Sequence, residues 1–204
     1  MILYKFPSGP FKTNTILIGC SKTKIAAVID PAYQSTTQVL DFAQKEQLTI
    51  EKILFTHSHW DHFADAFILK QHTGADLYIH ELDAPNLQAP GSDGLPIIIP
   101  IKPVKPDHFV KEGDWVKIGE ISFQVIHTPG HSPGGVCYYS SENKLLISGD
   151  TLFCGSIGNT QFPTSNPEDM WTSLKKIGQL PPETIVIPGH GPNTTISAEK
   201  RWLS

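Results

Sequence analysis

The chain has 204 residues, of which 39% are hydrophobic and 18% charged, a composition typical of a soluble globular protein that folds as one domain over residues 1–204. The formal net charge of −4 gives no reason to expect a nucleic-acid partner, and no apolar stretch of about 18 residues predicts a membrane span. The N-terminus lacks the features of a signal peptide, and three cysteines without C-x-x-C spacing favour a reducing, cytoplasmic location.

Apolar periodicity predicts strands and helices that alternate through the first half of the chain. Asp30 and Pro31 end the second of these strands. The predicted elements are strands over 14–19 and 25–29, a helix over 36–47, a strand over 53–56, a helix over 63–72 and a strand over 77–80.

The most informative segment is the H-x-H-x-D-H run that begins at His57, directly after a short apolar strand. In an extended segment, residues i and i+2 point the same way, so His57 and His59 are predicted to converge on one ion. Asp61 and His62 lie beyond the turn, at the start of the next helix, and can face a second ion. Imidazole suits zinc and iron, and a carboxylate helps to hold and bridge cations.

Residues 89–107 are predicted to form a loop, because the prolines in this segment are too dense for a helix or a central strand. The favoured interpretation is a surface connection whose isoleucines pack on the core. The alternative is an apolar wall beside the metal site.

A second run of strands follows, and a helix begins at Pro167 with Asn166 as its N-cap. The predicted elements are strands over 115–118, 121–126, 136–139 and 144–147, a helix over 167–177 and a strand over 185–187.

Three further candidate ligands occupy glycine-bearing loops after β-rich segments of this second half. They are His131 in T-P-G-H-S-P-G-G, Asp150 after Gly149, and His190 in P-G-H-G. Ligand sites on sheet scaffolds are built at strand ends in this way. The remaining histidines lack this context and are interpreted as ordinary surface or core residues: His72, His80, His108 and His127. Cys154 is interpreted as a small core residue, with substrate contact as the alternative.

On these motifs the chain resembles the metallo-β-lactamase superfamily and, within it, the short single-domain glyoxalase II-like hydrolases. The resemblance covers nearly the whole chain. It implies the metallo-β-lactamase fold, an α+β four-layer αβ/βα sandwich in which two β-sheets pack face to face with helices outside.

The resemblance also implies two divalent metal ions per chain, zinc in the preferred interpretation, with iron or manganese also compatible. Asp61 and Asp150 are the implied catalytic residues. A metal-bridging hydroxide is the expected nucleophile, because a metal lowers the pKa of bound water to about 7. The implied ligands are His57, His59 and His131 for the first ion, Asp61, His62 and His190 for the second, and Asp150 as the bridge.

The expected substrate is a small-molecule thioester such as S-lactoylglutathione, and the sequence indicates neither its binding residues nor an oligomeric state. A mononuclear iron dioxygenase of persulfides, using only His57, His131 and Asp150, stays open as an alternative. A metallohydrolase of another ester or lactone and a non-enzymatic metal-binding protein are further alternatives. The lactamases generally resemble this pattern with Cys in place of the bridging Asp, so Asp150 argues against β-lactam hydrolysis.

Two departures from the glyoxalase II-like pattern bear on the substrate. Asn159 and Gln161 stand where these proteins typically carry the Arg and Asp of a G-R-T-D-type segment. The favoured interpretation is a structural ion pair replaced by two neutral amides, and the alternative is a change of anionic substrate. The chain also ends 14 residues after His190. The C-terminal helical region that helps the larger glyoxalase II enzymes to bind glutathione is therefore expected to be missing.

Overall fold

Two six-stranded β-sheets lie face to face in the computed structural model, which describes residues 1–203. Helices cover the outer surface of each sheet, which is the four-layer arrangement that the resemblance implies. The prediction of an α+β αβ/βα sandwich is therefore confirmed. None of the helices within residues 1–203 is long and apolar enough to cross a membrane.

The first sheet contains the six N-terminal strands in chain order across its width. The first three strands pair antiparallel and the others continue in parallel, because helices make the crossovers. Its strands are β1 (Ile2–Ser8), β2 (Thr13–Gly19), β3 (Ile25–Ile29), β4 (Thr49–Leu54), β5 (Asp76–His80) and β6 (His108–Val110). The helices of this half are α1 (Thr36–Lys45), α2 (Trp60–Phe63), α3 (Ala66–Thr73) and α4 (Ala84–Gln88).

The second sheet begins as an antiparallel meander and then adds a parallel strand after a crossover. Its strands are β7 (Trp115–Ile118), β8 (Ile121–His127), β9 (Val136–Ser140), β10 (Leu145–Gly149), β13 (Ile185–Pro188) and β14 (Thr194–Thr195). The crossover contains the hairpin β11 (Leu152–Phe153) and β12 (Ser156–Ile157), followed by helix α5 (Pro167–Ile177). The Asn166 side chain accepts hydrogen bonds from the first-turn N–H groups of α5, so the predicted N-cap is confirmed.

Apolar side chains fill the space between each pair of layers. Tyr138 is fully buried between the two sheets. Val39 of α1 and Leu69 of α3 pack on the first sheet, and Met170 and Leu174 of α5 pack on the second. Full burial of one such side chain is worth roughly 1.5–3 kcal/mol, so both faces of each sheet contribute to holding the strand ends in place.

The strands that precede the candidate site residues end at one edge of the sandwich, the usual position for a ligand site on such sheets. Some helices and strands on this edge have bounds that differ from those predicted from the sequence. The strand predicted over 53–56 is β4, which ends at Leu54, so Thr56 lies in the loop. The helix predicted over 63–72 begins earlier, at Trp60, and breaks between α2 and α3. Elsewhere in the chain, the pattern did not locate helix α4 or five of the strands: β1, β6, β11, β12 and β14.

The loop predicted over 89–107 contains no helix or strand after α4, and its isoleucines divide between two environments. Ile97, Ile99 and Ile101 are partly buried against the core of the first sheet, which confirms the favoured interpretation. Ile98 is exposed, and Leu95 lines the cleft above the candidate metal centre. One residue of the loop therefore also serves as an apolar wall.

Candidate metal centre

The structure brings all seven predicted ligands together at this edge. Three of them form the three-histidine group: His57, His59 and His131. Three others form the mixed group: Asp61, His62 and His190. Within each group the potential ligand atoms lie within 4.8 Å of one another. Within residues 1–203, no potential ligand group includes any of the four histidines interpreted as ordinary residues: His72, His80, His108 and His127.

The three-histidine group satisfies the requirements of a metal site. The ring centroids of His57 and His59 are 4.6 Å apart, and those of His59 and His131 are 4.4 Å apart. The Nε2 atoms of all three are buried and have no hydrogen-bond partner. Buried polar atoms are rarely left unsatisfied, so three such atoms with converging lone pairs fit a cation between them.

The mixed group is equally compact. His62 Nε2 lies 3.3 Å from His190 Nε2 and 3.5 Å from Asp61 Oδ2. Thr13 Oγ1 donates a 2.6 Å hydrogen bond to Asp61 Oδ2 and fixes the carboxylate. One carboxylate and two imidazoles form a donor set that suits zinc, iron or manganese.

Asp150 lies between the two groups. Its Oδ2 is 3.4 Å from His131 Nε2 and 3.5 Å from His190 Nε2, and its Oδ1 is 3.4 Å from His62 Nε2. Gly189 permits this approach, because a Cβ at that position would lie 2.1 Å from Asp150 Oδ1. One carboxylate is therefore placed to serve both groups.

Partners at Nδ1 orient four of the five histidines. His57 Nδ1 lies 3.1 Å from Thr56 Oγ1, and His62 Nδ1 lies 3.0 Å from Asp30 Oδ2. The other two acceptors are main-chain carbonyls: Asn159 O for His131 and Phe11 O for His190. A ring that donates from Nδ1 leaves its Nε2 lone pair free, which is the form that binds a metal.

Sequence reasoning missed Asp30, which it used only as a strand terminator. The Asp30 carboxylate accepts from the Thr56 N–H and hydroxyl as well as from His62. Its backbone φ of 51° lies in the left-handed region, which is uncommon for a non-glycine residue and is often found at functional sites. A carboxylate directly after a buried strand parallel to β4 was the signal that could have identified it.

Asp83, also missed, joins the loops that carry two ligands of the three-histidine group. Its Oδ2 accepts from Ser58 N at 2.8 Å and its Oδ1 from Gly134 N at 2.6 Å. Asp83 is buried, so these bonds are shielded from water. The side chain thereby ties the His59 loop to the His131 loop.

Burial keeps two members of the three-histidine group, His57 and His59, uncharged. Burial lowers the pKa of His57 well below its usual value, and the nearby His62 and His59 lower it further. The pKa of His59 is likewise well below its usual value, through burial and then through His131. Both rings are therefore in the neutral, metal-binding form at physiological pH.

The mixed group has the opposite electrostatics. Burial alone would lower the pKa of His62, but the charges of Asp61, Asp150 and Asp30 raise it to about 10. Burial also opposes protonation of His190, and Asp150 raises its pKa nonetheless. The same histidines hold the pKa of Asp150 well below its usual value against the effect of burial. Without an ion, His62 therefore carries a proton.

A cleft of about 350 Å³ opens over the centre. Apart from the candidate ligands and Asn159, its walls are apolar side chains from separate segments: Phe11, Trp60, Leu95, Phe153 and Phe162. Cys154 is exposed and does not line the cleft, so the prediction of a core residue was wrong. Asn159 lines it, and its Oδ1 accepts from Gln161 N in a local turn.

Comparison with known proteins places the chain in one family. The family model described as the metallo-beta-lactamase superfamily matches residues 8–190. The chain is 34% identical over 199 residues to the hydroxyacylglutathione hydrolase GloC of Haemophilus influenzae, an alignment that covers 96% of this chain and 93% of that protein.

Solved structures of similar proteins support the same family assignment. The chain is similar to the BLEG-1 B3 metallo-beta-lactamase, with a TM-score of 0.90, 35% identity and coverage of 98% of this chain and 97% of that chain. The chain is also similar to a di-iron-bound form of TTHA1623, with a TM-score of 0.82, 37% identity and coverage of 97% of each chain. Its similarity to ETHE1 from Myxococcus xanthus has a TM-score of 0.83 and 29% identity, and covers 98% of this chain and 82% of that chain. The chain belongs to the metallo-beta-lactamase superfamily, whose members are metal-dependent hydrolases.

Proposed function

We propose that the protein is a binuclear metal-dependent hydrolase that acts on thioesters such as S-lactoylglutathione. The observation that carries the proposal is the position of Asp150, whose carboxylate lies within 3.5 Å of histidine nitrogens from both ligand groups. A carboxylate shared in this way suits two ions better than one.

In this proposal the three-histidine group holds one ion, the mixed group holds the other, and Asp150 is common to both. When bound, such ions polarise a carbonyl and supply hydroxide at neutral pH. Thr13 holds Asp61 in place and Asp30 holds His62, so the mixed group keeps its geometry while the substrate binds. A thiolate leaves readily, so cleavage of a thioester needs no strong general acid from the protein.

Similarity to GloC, which extends over 96% of this chain and 93% of that protein, supports the thioester class, because the name of GloC states hydroxyacylglutathione hydrolysis. The experiment is a hydrolysis screen of the metal-loaded protein with glutathione thioesters, other thioesters, lactones and phosphodiesters. Turnover of thioesters is the expected result. Turnover of a lactone or phosphodiester alone would remove the thioester assignment and leave the metallohydrolase.

β-Lactam hydrolysis is a second candidate, which the similarity to a B3 metallo-beta-lactamase favours. Asp150, where the lactamases generally carry Cys, predicts that this activity is weak. A chromogenic cephalosporin in the same screen tests this prediction, and turnover at a rate comparable to the best thioester would contradict it.

Discrimination for the glutathione portion is expected to be weak. Asn159 is uncharged and occupied in its local turn, so it offers an anionic thiol little binding energy. The measurement is the ratio of kcat/KM for S-lactoylglutathione to that for a smaller thiol with the same acyl group. A ratio above roughly 10³, about 4 kcal/mol, would instead require a specific glutathione site.

A further inference from the structure

The cleft above the centre has a division of residue types that the proposed function does not explain. Its polar lining consists of five candidate metal ligands and the amide of Asn159. The rest of the lining is aromatic or aliphatic, from residues that hold no ligand position: Phe11, Trp60, Leu95, Phe153 and Phe162. A substrate at the centre therefore meets apolar walls in several directions.

These walls stand directly against the ligand rings. The Phe162 ring is edge-on to His59 and His131, with centroids 5.3 and 5.5 Å apart. The Phe153 ring lies 6.1 Å from His190. A carbonyl that reaches the centre must place its attached groups within contact of these aromatic side chains.

The walls are anchored to the same segments that orient the ligands. The Phe11 carbonyl accepts from His190 Nδ1 while its ring packs 5.3 Å from Trp60. Phe162 lies three residues after Asn159, and the Asn159 carbonyl accepts from His131 Nδ1. The aromatic positions are therefore fixed relative to the reacting atoms, which lowers the entropic cost of binding an apolar group.

No lysine or arginine lines the cleft within residues 1–203. Lys5 is near the His190 loop, but its Nζ donates to Gly191 O and Asn193 Oδ1. An anionic group buried in this cleft would lack a partner apart from the ions themselves, and an unpaired buried charge is costly.

We propose that this cleft selects thioesters whose acyl group is apolar, aromatic or aliphatic, and whose thiol portion is uncharged. This inference rests on the proposed function and names the substrate class of the same site. S-lactoylglutathione, with its short hydroxyacyl group and charged thiol portion, is then accepted but is a poorer substrate than thioesters with a larger apolar acyl group and an uncharged thiol.

Water exclusion is the competing role for these walls. It would change the rate for every acyl group by a similar factor. Selection by the walls instead makes the effect depend on acyl size, because each methylene that is buried contributes about 0.8 kcal/mol, or about fourfold in kcat/KM.

The test uses acetyl, butyryl, hexanoyl and phenylacetyl thioesters of N-acetylcysteamine with the metal-loaded protein. We expect kcat/KM to rise about fourfold per methylene until the cleft is filled. Phe162→Ala should flatten the series, and Phe162→Leu should restore part of it. Phe109→Ala is the matched control, because Phe109 is exposed on the edge strand β6 and keeps the series unchanged. A flat series, or an unchanged series in Phe162→Ala, overturns the inference.

A binding measurement with compounds that cannot be hydrolysed tests the inference independently of the proposed function. Thioethers have no scissile carbonyl, so S-hexyl- and S-methyl-N-acetylcysteamine can be titrated calorimetrically even if no thioester is hydrolysed. We expect the hexyl compound to bind at least about tenfold tighter, with a negative heat-capacity change, and Phe162→Ala to remove the difference. Equal affinities overturn the acyl part of the inference. S-hexylglutathione binding more than about tenfold tighter than S-hexyl-N-acetylcysteamine overturns the uncharged-thiol part.

Discussion

The two ligand groups sit side by side, yet they are prepared for an ion in opposite ways. In the three-histidine group, burial keeps His57 and His59 neutral, so their lone pairs are available. In the mixed group, three carboxylates raise the pKa of His62 to about 10, so a proton occupies the place of the ion. One pocket can therefore hold two ions whose binding depends differently on pH.

The largest effect is expected where the groups meet. Asp150→Ala removes the carboxylate that lies against His62, His131 and His190. Metal content should fall, and the hydrolysis rate should drop on the order of 10²-fold or more. Metal analysis and steady-state kinetics measure both. Asp41→Ala, on the exposed side of α1, is the control. Full activity and metal content in Asp150→Ala would exclude a shared carboxylate.

Removal of one ligand from the mixed group should separate the two groups. His190→Ala should weaken the second ion and strongly reduce hydrolysis, while the three-histidine group keeps its own ion. Metal stoichiometry and thioester turnover are the measurements, with His72→Ala on the exposed face of α3 as the control. If the protein were a mononuclear persulfide dioxygenase, this variant would retain iron and oxygen uptake with a persulfide, which contradicts the proposal.

The three-histidine group should in turn depend on Asp83. Asp83→Ala leaves the N–H groups of Ser58 and Gly134 without acceptors, which loosens the His59 and His131 loops. Outer-shell changes of this kind cost about 10–100-fold in metal affinity. We expect that loss at the first ion and a smaller change at the second, measured by competition with a chromogenic chelator. Asp83→Asn should retain more affinity than Asp83→Ala, since its amide oxygen can still accept one of the bonds. Equal losses at both ions would mean general loosening.

The smallest effect is in proton release. His62 has a pKa of about 10 in the metal-free protein against 6.5 ordinarily, so between these values the fold holds a proton that the unfolded chain does not. This proton stabilises the metal-free fold fully below pH 6.5, and the contribution is lost as the pH rises through about 10. The second ion must displace it, so its affinity rises with pH, whereas neutral His57 and His59 give the first ion no such dependence.

Calorimetric titration of the metal-free protein with Zn²⁺ at about pH 8, in two buffers of different ionisation enthalpy, measures this release. We expect at least one proton with the second equivalent, from His62, and none from His57 and His59 with the first. Equal release with both equivalents would contradict the contrast between the groups.

The candidate ligands could be identified from the sequence because each lies in a short motif after an apolar run, as His57 and His190 do. The fold followed from the family resemblance that these motifs carry. Asp83 could not be predicted in this way, because its partners are main-chain N–H groups of two distant loops and leave no spacing pattern. The cleft walls were missed for a similar reason, since Phe11 and Phe162 meet only in the folded chain.

The sequence pattern did not predict elements that are too short to show a full period of apolar residues. Strand β6 has three residues, and α4 has five residues with a proline in its first turn, so neither gives a full period. The break between α2 and α3 lies at Asp65, whose backbone N–H donates to Pro31 O instead of to a helical carbonyl. Its carboxylate accepts from the N–H groups of Gln34 and Thr36.

The most direct test of the binuclear account is a stepwise metal titration of the metal-free protein, with thioester hydrolysis measured at each addition. The account predicts little activity up to one ion per chain, a steep rise between one and two, and no further gain beyond two. Full hydrolytic activity at one ion per chain, or oxygen uptake with a persulfide at one iron, would contradict it.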